Sequence, residues 1–212
     1  LAQTIVTADL IKKEVFLDNL ISGLAEKPLA NLTSVSVTVD ANQDCVRLSN
    51  FLSATGTGNR IIATDDNGNV LSSDVSDSNL FVQRGGVSFF RVYESEEFSQ
   101  NTGTMSGCQS LNQGTGYTLG LIKKSRNIFE TKIINLIENY NADYDTLKTE
   151  LKIPRGNDFD FSFTYGNGTE ILTENLGQAP SGSVNIYSRG VPVIYINRQA
   201  GQESGLLNVK MW

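Results

Sequence analysis

The sequence predicts an α+β fold: an antiparallel β-sheet domain packed with an N-terminal helix and a long central helix, with a hairpin-rich middle. Two helical stripes and a series of alternating segments carry that expectation. Leu10, Leu17, Leu20, Ile21 and Leu24 recur at helical spacing between about Asp9 and Lys27, and Phe129, Ile133, Leu136, Tyr140, Tyr144, Leu147 and Leu151 do so over about 128–151. Strand-like alternation fills much of the rest, as in Leu32, Val35, Val37 and Val39, or Phe159, Phe161 and Phe163.

Pro28 stops the first helix, and the strand follows at once. Residues 41–116 read as a Ser/Gly/Asn-rich elaboration of a single α+β domain covering 10–212, with short strands at 60–64, 70–71, 79–83 and 87–93. In the loop Asp65-Asp66-Asn67-Gly68-Asn69, the Asn-Gly pair suits a tight type I′ hairpin. Asp65, Asn67 and Asn69 also match the first, third and fifth ligand positions of a calcium loop. Val70 stands where that loop needs glycine and no glutamate follows at the twelfth position, so the turn is the reading adopted.

The central helix starts with Asn127 and Glu130 as a capping pair, has Asn141 as a point where a second segment begins, and is ended by Pro154. Its tyrosines fall at core spacing. Gly166-Asn167-Gly168 then turns a hairpin into 169–173. Pro192 belongs on an edge, at a bulge or at a strand start, and the closing strand is expected to be paired with its terminal Trp212 partly covered.

Composition narrows function. The 212 residues contain no histidine, which removes the commonest general base and metal ligand and every Ser-His or Cys-His pair. We therefore expect no catalytic residues, no metal site and no cofactor. A net charge of −6, with no basic run longer than Lys123-Lys124, argues against nucleic acid. Apolar runs are far shorter than the about 20 residues of a membrane span. The acid-pair alternative rests on Asp158 and Asp160, which flank Phe159 on one strand face in the way glycosidase carboxylates are paired; the plain reading is a solvated start to a strand. Glu94, Glu96 and Glu97 read as a charged surface.

The start LAQTIVTADL lacks a basic leader and reads as what remains after a signal or anchor is removed. In such a setting Cys45 and Cys108 form one bridge, or else stay as two buried thiols. Asn31-Leu32-Thr33 and Asn167-Gly168-Thr169 are N-glycosylation acceptors, the second on a hairpin tip. Residues 1–9, among them Leu1, Ala2, Thr4, Ile5 and Val6, are rich in β-formers and read as an arm that donates a strand to the next subunit.

The segment Tyr144-x-x-Leu147-Lys148-x-x-Leu151-x-Ile153-Pro154, then Asp158 to Phe163, Val191-Pro192-Val193-Ile194-Tyr195 and the closing Gly205 to Trp212, resembles the C-terminal β-domain of archaeal pilin-like cell-envelope proteins over about 127–212. That resemblance implies an exported structural subunit of a surface filament or envelope, partnered by copies of itself. A second reading, independent of it, is a secreted adhesin or carbohydrate-binding module partnered by surface glycans. The long apolar helix that drives filament assembly in that group has no counterpart in the sequence. An adhesin would display exposed aromatics such as Tyr93, Tyr117 or Tyr165 around a groove.

Overall fold

The computed structural model describes residues 2–172, 180, 182 and 184–212, with side chains described from Lys12 onward. The fold is α+β and rich in antiparallel strands. Where the sequence suggests one domain over 10–212, the chain divides into two compact units: residues 1–29, 128–197 and 202–212 form the first, and 30–127 with 198–201 the second. The stretch read as an elaboration thus makes up most of a unit with a core of its own.

The first unit places helices α1 (Ala2–Glu26), α3 (Glu130–Ala142) and α4 (Tyr144–Glu150) with the antiparallel strands β10 (Phe159–Tyr165), β12 (Gln202–Met211) and β11 (Tyr187–Ile196), in the order β10-β12-β11. Alternation decides which strand face is buried. Phe159, Phe161 and Phe163 lie opposite Met211, Val209 and Leu207, and all six join Leu17, Leu20, Leu24, Ile133 and Leu147 in one apolar cluster. The closing strand is paired as expected: Asp158 and Trp212 exchange backbone hydrogen bonds of 2.9 and 3.0 Å, and the indole is half-buried. Pro192 sits in β11, an outer strand of that trio, whose pairing on its far side is, among the described residues, confined to Tyr195 with Ile128 and Ile196 with Phe129.

Helix α1 corrects the expected extended arm. Helical backbone begins at Ala2, so Ala2, Thr4, Ile5 and Val6 are not in strand conformation, and Leu1 lies outside the described residues. Nucleation is the costly step of helix formation; once the stripe of Leu17, Leu20, Ile21 and Leu24 anchors the second half, upstream residues add one bond each, and β propensity over so short a stretch is overridden. Leu10, the remaining member of the stripe, lies among the residues whose side chains are not described. Gly23 lets the helix approach closely, since a Cβ there would stand 2.8 Å from Leu151 Cδ2.

The long central helix over 128–151 is also corrected. It is two helices separated at Asp143, whose backbone departs from helical geometry (φ −150°, ψ 75°). Asp143 Oδ1 accepts the Thr146 N–H at 3.0 Å as an N-cap, and the hydrogen bond from the Thr146 side chain, followed by this backbone one, holds the carboxyl below its usual range. The expected break at Asn141 is thus two residues early, and Ile128 and Phe129 belong to a strand that the helical stripe hides.

The second unit is a two-sheet sandwich. One sheet runs β9 (Tyr117–Phe129), β1 (Leu29–Val39), β7 (Phe89–Glu94), β3 (Ile61–Thr64), β4 (Val70–Leu71). The other runs β5 (Ser73–Ser76), β6 (Asn79–Gln83), β2 (Cys45–Leu48), β8 (Gln109–Leu111). Val35, Val37, Val39, Phe90 and Val92 from the first share a core with Val46, Leu48, Val75, Leu80 and Val82 from the second, closed by Phe51 of helix α2 (Phe51–Thr55). β3, β4, β6 and β7 match the expected strands closely.

Candidate functional site

Cys45 and Cys108 are joined, with Cα atoms 4.5 Å apart. The bridge fastens the start of β2 to the residue before β8, which pairs with β2 in parallel through only three residues. Parallel neighbours need a long crossover, and the cysteines that close this one are 63 apart in sequence, so the covalent link holds together what three residue pairs hold weakly.

The acidic pair is built into a polar cluster at the start of β10. Tyr144 Oη donates to Asp158 Oδ1 at 3.0 Å and accepts the Phe159 N–H at 3.1 Å. Tyr140 Oη donates to the Phe159 carbonyl at 3.1 Å and lies 3.4 Å from Asp160 Oδ1. The tyrosine stripe is core, as its spacing implies: the Tyr140 ring packs 5.0 Å from Phe161, and that of Tyr144 lies 5.3 Å from Phe159. Its hydroxyls have the added task of satisfying strand groups that a lone apolar stripe would leave unbonded.

Lys148 pairs with Asp158, and Lys210 Nζ lies 3.8 Å from Asp160 Oδ2. The hydrogen bond from Lys148, with a smaller one from the Tyr144 hydroxyl, outweighs the upward push of burial and holds the Asp158 carboxyl below its ordinary range. An acid catalyst needs the opposite shift, so this arrangement suits an ion-paired strand start and gives Asp158 no proton to deliver at neutral pH. Burial raises the Tyr144 phenol far above its usual value, which keeps it a hydrogen-bond donor.

The cluster gives a pH signature. A carboxyl whose folded pKa is depressed adds stability above its unfolded value of about 4 and loses it as pH falls through the folded value. The stability difference between the native protein and Asp158→Asn should therefore be present at pH 7 and shrink on acidification. Urea midpoints at pH 7 and pH 3 test this, and a constant difference would contradict it.

Asp65 confirms a turn but not its expected type. Its Oδ1 accepts the N–H groups of Asn67 and Asn69 at 2.9 and 2.8 Å, and Oδ2 takes the Asn69 side-chain amide at 2.8 Å; that last bond is the main cause of its lowered pKa. Thr64 pairs with Val70, so five residues form the loop and only Gly68 takes positive φ (83°), where a type I′ turn would need two such residues.

The two glycosylation acceptors differ. Asn167 is exposed at the tip of a tight turn closed by Tyr165 N–H to Thr169 O (2.8 Å), and its Oδ1 accepts from both the N–H (3.0 Å) and the hydroxyl (2.8 Å) of Thr169. Asn31 is exposed in β1, but Thr33 of the same acceptor is buried and paired with Glu94. Thr173, the expected end of the hairpin's second strand, lies outside the described residues.

Two of the three aromatics that an adhesin would display are engaged within the protein. Tyr117 is core, its hydroxyl donating to Ser49 O at 2.8 Å; Tyr165 donates to Glu130 at 2.8 Å; Tyr93 is half-buried in β7. Each unit has an open groove of 560 Å³. That of the first unit is bordered by Phe16, Gly23 and Lys27 of α1 and by residues 150–154. That of the second is polar, with Asn31, Glu94, Glu96, Lys124 and Arg126 around it.

Arg84 was not singled out by its sequence context. It is 7% exposed and ties three carbonyls together, those of Gln43, Ala41 and Val87, at 2.7 to 2.9 Å. No periodicity marks such a residue; only the meeting of two loops does. No helix among the described residues is long and apolar enough to cross a membrane. No family model, curated protein or solved structure matches the chain.

Proposed function

We propose that this protein is a structural subunit of an extracellular or cell-surface filament or envelope assembly, pilin-like in plan, acting by contact with copies of itself through helix α1. One observation carries this reading: α1 presents two large apolar side chains to solvent immediately before its core residue Leu17. They are Val15 and Phe16, 52% and 38% exposed. Adjacent large apolar side chains left open to water on a helix form a surface that a partner would cover. The helix replaces the donated strand as the assembly element.

The disulfide supports an oxidising compartment. Asn167 is the residue we assign to glycan attachment, with Asn31 left unmodified.

The test is the double variant Val15→Asp, Phe16→Asp, viewed by negative-stain microscopy. Neither side chain is part of the apolar core, so circular dichroism should stay native while assemblies disappear. Assemblies unchanged in number and length would refute the role given to α1.

A further inference from the structure

Strand β9 pairs with β1 on one side and, among the described residues, has no partner strand along most of the other. The Asp40 N–H bonds to Gly116 O at 2.9 Å, while Gly120 lies against Ser36, so β9 runs antiparallel to β1 and its even-numbered residues from 116 address that strand. Odd-numbered residues turn their backbone groups the other way. Tyr117 follows this rule, its N–H bonding to Asn112 O at 3.1 Å and its carbonyl accepting from Gly114 at 2.8 Å. From Leu119 to Ser125 no partner strand is found among the described residues, and the pairing of β9 with β11 is confined to Ile128 and Phe129. Thr118 and the run from Gly120 to Lys124 are exposed; Leu121 reaches 74% and Ile122 39%. Side chains exposed on both faces of a strand and unpaired groups along its side form a template for another strand.

We propose that this edge pairs with the same edge of a second copy, antiparallel about a two-fold axis through Leu121. Three features fit that occupant. Leu121 meets Leu121 of the second copy, removing the most exposed large apolar side chain of the described residues from water. The register places Ile122 opposite Gly120, which has no side chain to obstruct it. It also places Lys123 opposite Leu119 and Lys124 opposite Thr118. The two Lys123 positions are then four residues apart along the strand direction, about 13 Å at strand rise, beyond the about 8 Å screening length at physiological salt. The contact is isologous and closed, and it joins two copies of the β9-β1-β7-β3-β4 sheet into one.

This surface deepens the assembly reading and rests on its premise of self-contact, but it is separable from the part played by α1. The probe is sedimentation equilibrium of the full-length Val15→Asp, Phe16→Asp variant, in which the α1 contact is removed, from micromolar to millimolar concentration, with a mass of about twice 23.1 kDa expected at the upper end. Leu121→Pro should halve that mass: the Leu121 N–H points away from β1, so proline costs the subunit no ladder bond. Ile122→Glu should do the same without touching the backbone. Leu121→Cys should give a covalent dimer on oxidation, because paired Cα atoms about 5.5 Å apart suit a disulfide. A mass that stays at 23.1 kDa in that α1 variant would overturn the proposal and assign Lys123 and Lys124 the role of keeping the edge unpaired. A dimer that persists in both edge variants would overturn it as well. Filaments with no Leu121 cross-link would leave the α1 reading standing and remove this surface.

Discussion

Replacing both Cys45 and Cys108 with alanine should lower the stability of the second unit by about 4 kcal/mol, the chain-entropy value for a loop of this length. The physical reason is the topology around the bridge. β8 joins β2 through the parallel pairs Val46 with Gln109, Arg47 with Ser110 and Leu48 with Leu111, and of its own three residues only Leu111 is buried. Its pairing must hold closed a loop of 63 residues, and the covalent link removes most of that loop's freedom from the unfolded chain. Hydrogen exchange resolved by peptide gives the check: amides of 109–111 should lose protection first, then those of β2, with the three helices of the first unit unaffected. Equal loss of protection throughout the protein would contradict the division into two units.

Phe161→Ala should cost the first unit about 3–5 kcal/mol, the usual range for a fully buried phenylalanine reduced to alanine. Phe161 is 1% exposed at the centre of an aromatic row, with Phe159 and Phe163 at 6.3 and 6.0 Å between ring centres and Tyr140 at 5.0 Å. The ring also faces Val209 on β12, so its removal leaves a cavity that cannot close without moving both the strand and α3. Near-ultraviolet circular dichroism should lose tyrosine signal at lower urea, and exchange should rise in 130–142 and 159–165 while 79–83 keeps its protection. A cost below about 1 kcal/mol would mean that the aromatic row repacks freely, contrary to the close packing expected of protein interiors.

How far the sequence foretold this structure depends on whether each element has one buried face. β1 and β10 alternate cleanly because one side meets a core and the other does not, and the stripe of Leu17, Leu20, Ile21 and Leu24 marks the anchored half of α1 for the same reason. β9 was hidden because its exposed middle has no inside to alternate with: Leu121, Ile122, Lys123 and Lys124 are all exposed. β5 and β8 are too short to show a period. The helical stripe over 128–151 stays in phase across Asp143, so apolar spacing does not show the break, which capping chemistry sets two residues after the Asn141 that the sequence suggests.

The site was less legible than the fold. The bridge and the exposed Asn167 tip followed from local composition. The carboxylates of Asp158 and Asp160 were visible, yet the lysines and tyrosines that settle their chemistry lie ten or more residues away on other elements, Lys148 on α4 and Lys210 on β12 among them. Arg84 and the open side of β9 depend wholly on which strands become neighbours. Residue types in a row say nothing of that.

The central claim is self-assembly, and electron microscopy of the intact protein at millimolar concentration in an oxidising buffer tests it most directly. Elongated or sheet-like assemblies that vanish in the Val15→Asp, Phe16→Asp variant are the predicted result. A field of single 23 kDa particles at every concentration would contradict it.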